Sequence, residues 1–254
     1  MKDILNTETL NSDSFKVLNG LPDYISIEEK GAMIDENWKI EIQNLIDFSI
    51  SNKVKSTGVL INKSSKHYIE ISELLKKYGF EHYASKVEVN KELQELQGNS
   101  IDFEWRSIGN NTLSEEEFKM LWKQCMNGSE NRTSSLSMEE HLNSVKSLLG
   151  SNWKNSCIAI YEGNKPIGIS IPHIEPGTMD EGRLFYFGLL PEERGKGKSV
   201  LIHLQSLLLL KQMGAAYYRG STHESNKLMQ KVFLKNDCPI TAYTESYYRY
   251  LTNE

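Results

Sequence analysis

The stretch Leu184-Phe185-Tyr186-Phe187-Gly188-Leu189-Leu190-Pro191-Glu192-Glu193-Arg194-Gly195-Lys196-Gly197-Lys198-Ser199 decides how the rest of the chain is read. An apolar run of strand character stops at Pro191, a charged turn with two glycines follows, and a helix is expected from Lys198 to Met213. A helix start presents backbone N–H groups that lack intrahelical partners, together with partial positive charge, which suits a phosphate. Gly195 and Gly197 let the backbone approach such a ligand closely and take positive φ. Arg194, Lys196 and Lys198 add charge, and the Ser199 hydroxyl adds a donor.

Spacing separates the phosphate loops. A Walker loop ending at Gly197-Lys198-Ser199 requires a glycine where Glu192 stands. A dinucleotide fingerprint from Gly195 requires glycine or alanine where Val200 stands. Neither fits.

Outward from the loop, helices are expected over Trp38–Ile50, Tyr68–Tyr78 closed by Gly79, and Ser225–Leu234. Ser114 with Glu117 and Ser137 with Glu140 read as capping boxes opening two more helices, the second stopping at Gly150. Strands are expected over Thr57–Ile61, Ala84–Val89, Ile101–Ile108, Cys157–Tyr161, Pro166–Ile171, Leu184–Leu190 and Tyr217–Gly220, with a turn at Gly163-Asn164 and a strand-rich tail. The first 36 residues give no clear assignment. Gly98-Asn99 marks a boundary, dividing the chain into residues 1–98 and 99–254. The plan is α/β (α+β).

The loop matches the [Q/R]-x-x-G-x-[G/A] pattern of the GCN5-related N-acetyltransferases, entered from an apolar-apolar-Pro step. Arg194 fills the first position, Gly197 the fourth, and Ser199 departs from the last. Asn226 stands where that family places an asparagine opening the next helix. Residues from about 100 to 254 therefore resemble this family. The resemblance implies a mixed, mostly antiparallel sheet flanked by helices, acetyl-CoA (coenzyme A) as cofactor, and transfer to a primary amine. It implies cofactor contacts from Leu189, Leu190, Arg194, Gly195, Lys196, Gly197, Lys198, Ser199, Asn226 and Phe233, with a backbone N–H near Leu189 holding the oxyanion. The family often carries a proton-donating tyrosine seven positions after the asparagine; here that position is Phe233. Either a tyrosine downstream (Tyr243, Tyr247 or Tyr248) serves as the acid or solvent does; of the tyrosines Tyr247 is assigned, with Glu181 as the base. Tyr78-Gly79-Phe80 resembles the close of the same fold. Residues 1–98 are then a degenerate, cofactor-free copy, with an unrelated α/β extension as the alternative.

Composition sets limits. With 39% hydrophobic and 25% charged residues this is an ordinary globular composition, and a net charge of −5 disfavours a nucleic-acid partner. The polar start, Met1 to Asp13, has no secretory h-region, and no apolar run reaches the ~18 residues of a membrane span. Cys125, Cys157 and Cys238 are widely spaced, which fits reduced thiols in the cytoplasm, and the six histidines show no metal-ligand spacing. The sequons at Asn110 and Asn131 read as chance. The expectation is thus a cytoplasmic enzyme, monomer or homodimer, without metal, nucleic acid or membrane partner, acting on a small cationic amine. Glu175, Asp180 and Glu181 supply the charge complementarity for that acceptor. A coenzyme A sensor without turnover is the second expectation.

Overall fold

The computed structural model describes residues 10, 14–21, 24–30, 37–98, 103–130 and 136–251. Its contacts divide the chain into two units, Met1–Val87 with Ala242–Glu254, and Glu88–Thr241. The division falls inside a strand rather than at Gly98-Asn99, and the tail returns to the first unit. Pairing partners, which are remote in sequence, decide where a strand belongs.

The first unit holds β1 (Phe15–Gly20), β2 (Tyr24–Glu29), α1 (Trp38–Ser51), β3 (Ser56–Asn62), α2 (Tyr68–Lys77), the first part of β4 (Glu81–Glu92) and most of the last strand, β10 (Ile240–Tyr250). The order is β1-β2-β3-β10-β4. β1 and β2 form an antiparallel pair, β2 and β3 run parallel with α1 between them in the chain, and β10 lies antiparallel to β3. Trp38, Ile42, Leu45 and Ile46 recur at helical spacing and bury one face of α1 against Ile25, Ile27, Val59 and Ile61. β1 and β2, each six residues long, lie in the stretch that the sequence left unassigned; they are held by their pairing with each other and by that of β2 with β3.

The second unit holds β5 (Glu104–Ser107), α3 (Glu115–Met126), α4 (Met138–Leu149), α5 (Trp153–Ser156), β6 (Ile158–Glu162), β7 (Lys165–Ile174), β8 (Glu181–Leu189), α6 (Lys198–Gln212), β9 (Tyr217–His223) and α7 (Lys227–Lys235). Its order is β4-β9-β8-β7-β6-β5. β5 to β8 form an antiparallel meander, and β8 pairs parallel with β9 through the α6 crossover. The sheet is mixed, with antiparallel pairs in the majority, as expected. α3 and α4 bury Phe118, Leu121, Trp122, Leu142 and Val145 against Ala159, Ile169 and Ile171. Leu207, Leu210, Tyr218 and Phe233 form a second cluster under α6 and α7.

The helix starts differ in one respect. Ser137 and Glu140 exchange both bonds of a capping box. The Ser114 Oγ accepts from Glu117 N at 3.1 Å, but the Glu117 carboxylate accepts from the Tyr161 hydroxyl at 2.7 Å instead of reaching back. A partner 44 residues away competes for the group that the local motif reserved.

Candidate functional site

The site begins with an irregularity in β8. Ser170 pairs with Phe187 and Pro172 with Leu184, so Phe185 and Tyr186 together face the single residue Ile171. This two-against-one arrangement is a β-bulge, which re-aims side chains and leaves backbone groups out of the ladder. Neighbours on a regular strand face opposite sides. Here Phe185 and Tyr186 both pack on Trp122, with ring centroids at 6.2 and 5.6 Å.

β8 also parts from β9. The two strands are in register only at Glu181↔Tyr217 and Gly182↔Tyr218. Beyond that point an open cleft of about 430 Å³ is lined from β8 by Tyr186, Phe187, Gly188 and Leu189, from α3 and its following turn by Cys125 and Gly128, and from α7 by Met229 and Lys231. A cleft of this size and mostly apolar lining suits a small organic ligand.

The glycine loop closes one end. Pro191–Glu193 form a single 3-10 turn, Gly195 and Gly197 have φ of 73° and 80°, and α6 starts at Lys198 with no side-chain cap. Both φ values lie in the left-handed region that favours glycine. Among the described residues, a Cβ at either position would meet nothing within 4 Å, so the space before the loop is open there. Arg194, Gly195, Gly197, Ser199 and Asn226 all line the cleft. Asn226 caps α7, its Oδ1 accepting from Met229 N at 2.9 Å.

The cations have different work from that expected. The Arg194 guanidinium donates to the carbonyls of Leu189 (3.2 Å), Gly128 (2.9 Å) and Cys125 (2.9 Å). Lys198 donates to Glu162 at 2.6 Å and to Glu193 at 2.8 Å, and Lys196 reaches Glu193 at 3.2 Å. Lys165 completes the set around Glu193, which is buried. Lys196 and Lys198 thus fasten the turn and do not line the cleft; Glu193, which the sequence reading passed over, is their hub. Lys231 and Lys235, four residues apart on α7, line the cleft instead. Their spacing on a helix opened by Asn226 was the available signal.

Glu193 makes the loop acid-sensitive. Hydrogen bonds from Lys165 and Lys198, then Lys196, hold its carboxyl down at about 2. A depressed folded value stabilises fully above the ordinary 4.5 and is lost as pH falls through about 2. Glu193→Gln should therefore be less stable than the parent above pH 4.5, with the gap closing towards pH 2. Denaturation at stepped pH measures this; a gap independent of pH would remove Glu193 as the cause.

The remaining assigned residues lie elsewhere. Glu181 starts β8 and is buried, accepting from Arg183 Nε at 2.5 Å and from the Tyr217 hydroxyl at 2.9 Å. Arg183 also meets Glu175 at 3.3 Å, so Glu175 and Glu181 spend charge on a guanidinium of their own strand region. Burial, and then the bond to Glu181, push the Tyr217 phenol up to about 12. Tyr247 lies in the core of the first unit, opposite Val59 on β3. Leu190 and Phe233 are buried in different clusters of the second unit's core. None of these four assigned residues, Glu181, Tyr247, Leu190 and Phe233, lines the cleft.

Two groups within the cleft wall were not anticipated. Burial pushes the Cys125 thiol up to about 12, which keeps it a thiol at neutral pH. Burial likewise raises the Tyr186 phenol above its ordinary value, leaving it a neutral donor. All three cysteines are buried and free. Among the described residues, no group of three or more His, Cys, Asp or Glu could hold a metal ion, and no helix is long and apolar enough to cross a membrane.

No protein-family model matches the sequence, and no curated protein does. Solved structures do match in shape. A GCN5-related N-acetyltransferase from Sphaerobacter thermophilus shares 12% identity, with a TM-score of 0.55 over 93% of this chain and 76% of that one. A conserved protein of unknown function from Staphylococcus epidermidis shares 12% identity, with a TM-score of 0.56 over 95% of this chain and 93% of that one. A tandem GNAT protein of the clavulanic acid biosynthesis pathway shares 8% identity, with a TM-score of 0.54 over 90% of this chain and 76% of that one. The parted parallel strands, the bulge and the glycine loop at a helix start belong to a chain with the fold of the GCN5-related N-acetyltransferases.

Proposed function

We propose that the chain binds acetyl-CoA in the cleft of its second unit and transfers the acetyl group to a primary amine. The observation that carries this reading is the uncapped start of α6, with Gly195 and Gly197 in left-handed backbone facing open space. Such a cradle takes a pyrophosphate through backbone N–H groups. From there the apolar lining of Phe187, Val200, Leu189 and Met229 suits an extended acyl-pantetheine arm. Bound acetyl-CoA would supply an activated thioester carbonyl. The chain's part is to hold that carbonyl, and backbone N–H groups freed near the β8 bulge are the donors available to it.

An acceptor amine with a lysine-like pKa of ~10.4 costs roughly 4–5 kcal/mol to hold neutral at pH 7. The apolar cleft wall favours the neutral form by desolvation. Glu181, tied to Arg183 and Tyr217, acts in this reading as a brace at the start of β8. Glu181→Gln is then expected to lower the melting temperature and leave the pH profile of turnover in place. A rate loss that recovers at high pH would restore Glu181 as the base.

The reading is tested by mixing the protein with acetyl-CoA and a panel of small amines. Acetyl-CoA at millimolar concentration should raise the melting temperature, and one or more amines should release free thiol. No thermal shift would sink the assignment. A shift without thiol release would favour the second reading, a coenzyme A-binding sensor, for which Phe233 and the core position of Tyr247 speak.

A further inference from the structure

α7 turns a stripe of mixed character to the cleft. Leu228, Lys231, Val232 and Lys235 all line it, at the i, i+3, i+4 and i+7 positions that fall on one helix face. The inner stripe of a surface helix is normally apolar, yet half of this one is lysine. The helix, KLMQKVFLK from Lys227 to Lys235, contains no acidic residue. Like charges four residues apart on one face repel each other. Among the described residues neither Lys231 nor Lys235 has a hydrogen-bond or ion-pair partner, and both are exposed. The cations of the glycine loop, by contrast, are occupied, Arg194 by backbone carbonyls and Lys196 and Lys198 by Glu193.

The two lysines stand beside the phosphate cradle. The Asn236 Nδ2 amide, one residue beyond Lys235, donates to the Val200 carbonyl at 3.0 Å. That bond joins the end of α7 to the first turn of α6, where Ser199 and Val200 also line the cleft. A ligand whose pyrophosphate rests on the loop amides would thus bring its neighbouring anionic groups towards this end of α7. Coenzyme A carries one such group, the phosphate monoester on its ribose, with a charge of about −1.5 to −2 at neutral pH. Two ammonium groups match that charge, whereas backbone amides without formal charge suit the pyrophosphate. Resting on the coenzyme A reading above, we propose that Lys231 and Lys235 form a second phosphate subsite, which holds the 3′-phosphate and selects 3′-phosphorylated carriers over their dephosphorylated forms. The loop then recognises the pyrophosphate through its backbone, and α7 recognises the monoester through its charge.

Titration calorimetry of the full-length protein with coenzyme A and with dephospho-coenzyme A, which lacks only the 3′-phosphate, tests this. Coenzyme A should bind about 10-fold more tightly at low salt, and the preference should shrink as ionic strength rises. The double variant Lys231→Gln/Lys235→Gln should bind coenzyme A about 10-fold more weakly and dephospho-coenzyme A as the parent does. Each single variant should lose about 3-fold for coenzyme A alone, and these two decide if the double variant does not fold. If the parent binds both ligands equally, the subsite is wrong and the cofactor reading stands. If the variants weaken both ligands to the same degree, the lysines serve the pyrophosphate or the fold, and the subsite is again overturned. If the parent binds neither ligand, the subsite and the cofactor reading fall together.

Discussion

Gly197→Asp should abolish coenzyme A binding, with a loss of roughly 100-fold or more, about 2.7 kcal/mol, while the protein stays folded. The folded state tolerates the change because a Cβ at Gly197 meets no atom of the described residues within 4 Å. Its φ of 80° strains an L-residue, but Asp and Asn are the side chains that most readily accept the left-handed region. A carboxylate at the start of α6 also interacts favourably with the helix dipole. The same carboxylate would occupy the space where a pyrophosphate must sit and would repel it. Gly197→Asn separates charge from bulk: it has the same shape and the same strain, and should bind much more strongly than Gly197→Asp. Titration calorimetry with coenzyme A, alongside thermal melting of each free variant, gives both quantities. Parental affinity in Gly197→Asp would move the phosphate site away from this loop.

Arg194→Ala should show the opposite balance, with a large loss of stability and a secondary loss of binding. The guanidinium satisfies the carbonyls of Cys125 and Gly128, at the end of α3 and in the turn after it, and that of Leu189 at the end of β8. The last carbonyls of a helix lack intrahelical partners, and a cation there also favours the dipole. Hydrogen bonds to a charged group contribute about 1.5–3 kcal/mol each but are not additive, so a loss of about 2–4 kcal/mol is expected. That corresponds to roughly 5–15 °C in the melting temperature of a unit of this size. Arg194→Lys should recover little, because a single ammonium cannot reproduce the planar fork. Parental stability with binding lost would instead make Arg194 a direct ligand contact.

Local features were legible wherever one segment contains both the signal and its partner. Ser137 and Glu140 lie within one turn, and both capping bonds form. Gly79 closes α2 with φ of 79°, and Gly163 turns β6 into β7 with φ of 61°, as their positions imply. Gly197 and Asn226, singled out by their spacing, both line the cleft. Charge was less legible. A run of Arg194, Lys196 and Lys198 suggests an anion site, but the loop carries its own counter-charge in Glu193, and Lys165 and Glu162 come from the preceding strands. Whether a lysine serves a ligand or a neighbouring carboxylate depends on which of them lies closer in space.

By itself, then, the sequence determined the glycine loop, the helix it opens, the asparagine cap beyond and the α/β alternation of the second unit. These rest on φ preference, periodicity and capping, which act within a few residues. Only the tertiary structure decided that β8 bulges at Phe185-Tyr186, and that Tyr247 and Glu181 lie in a core and an ion network. Each of those depends on pairing, burial or hydrogen bonding between groups that the chain brings together from distant positions.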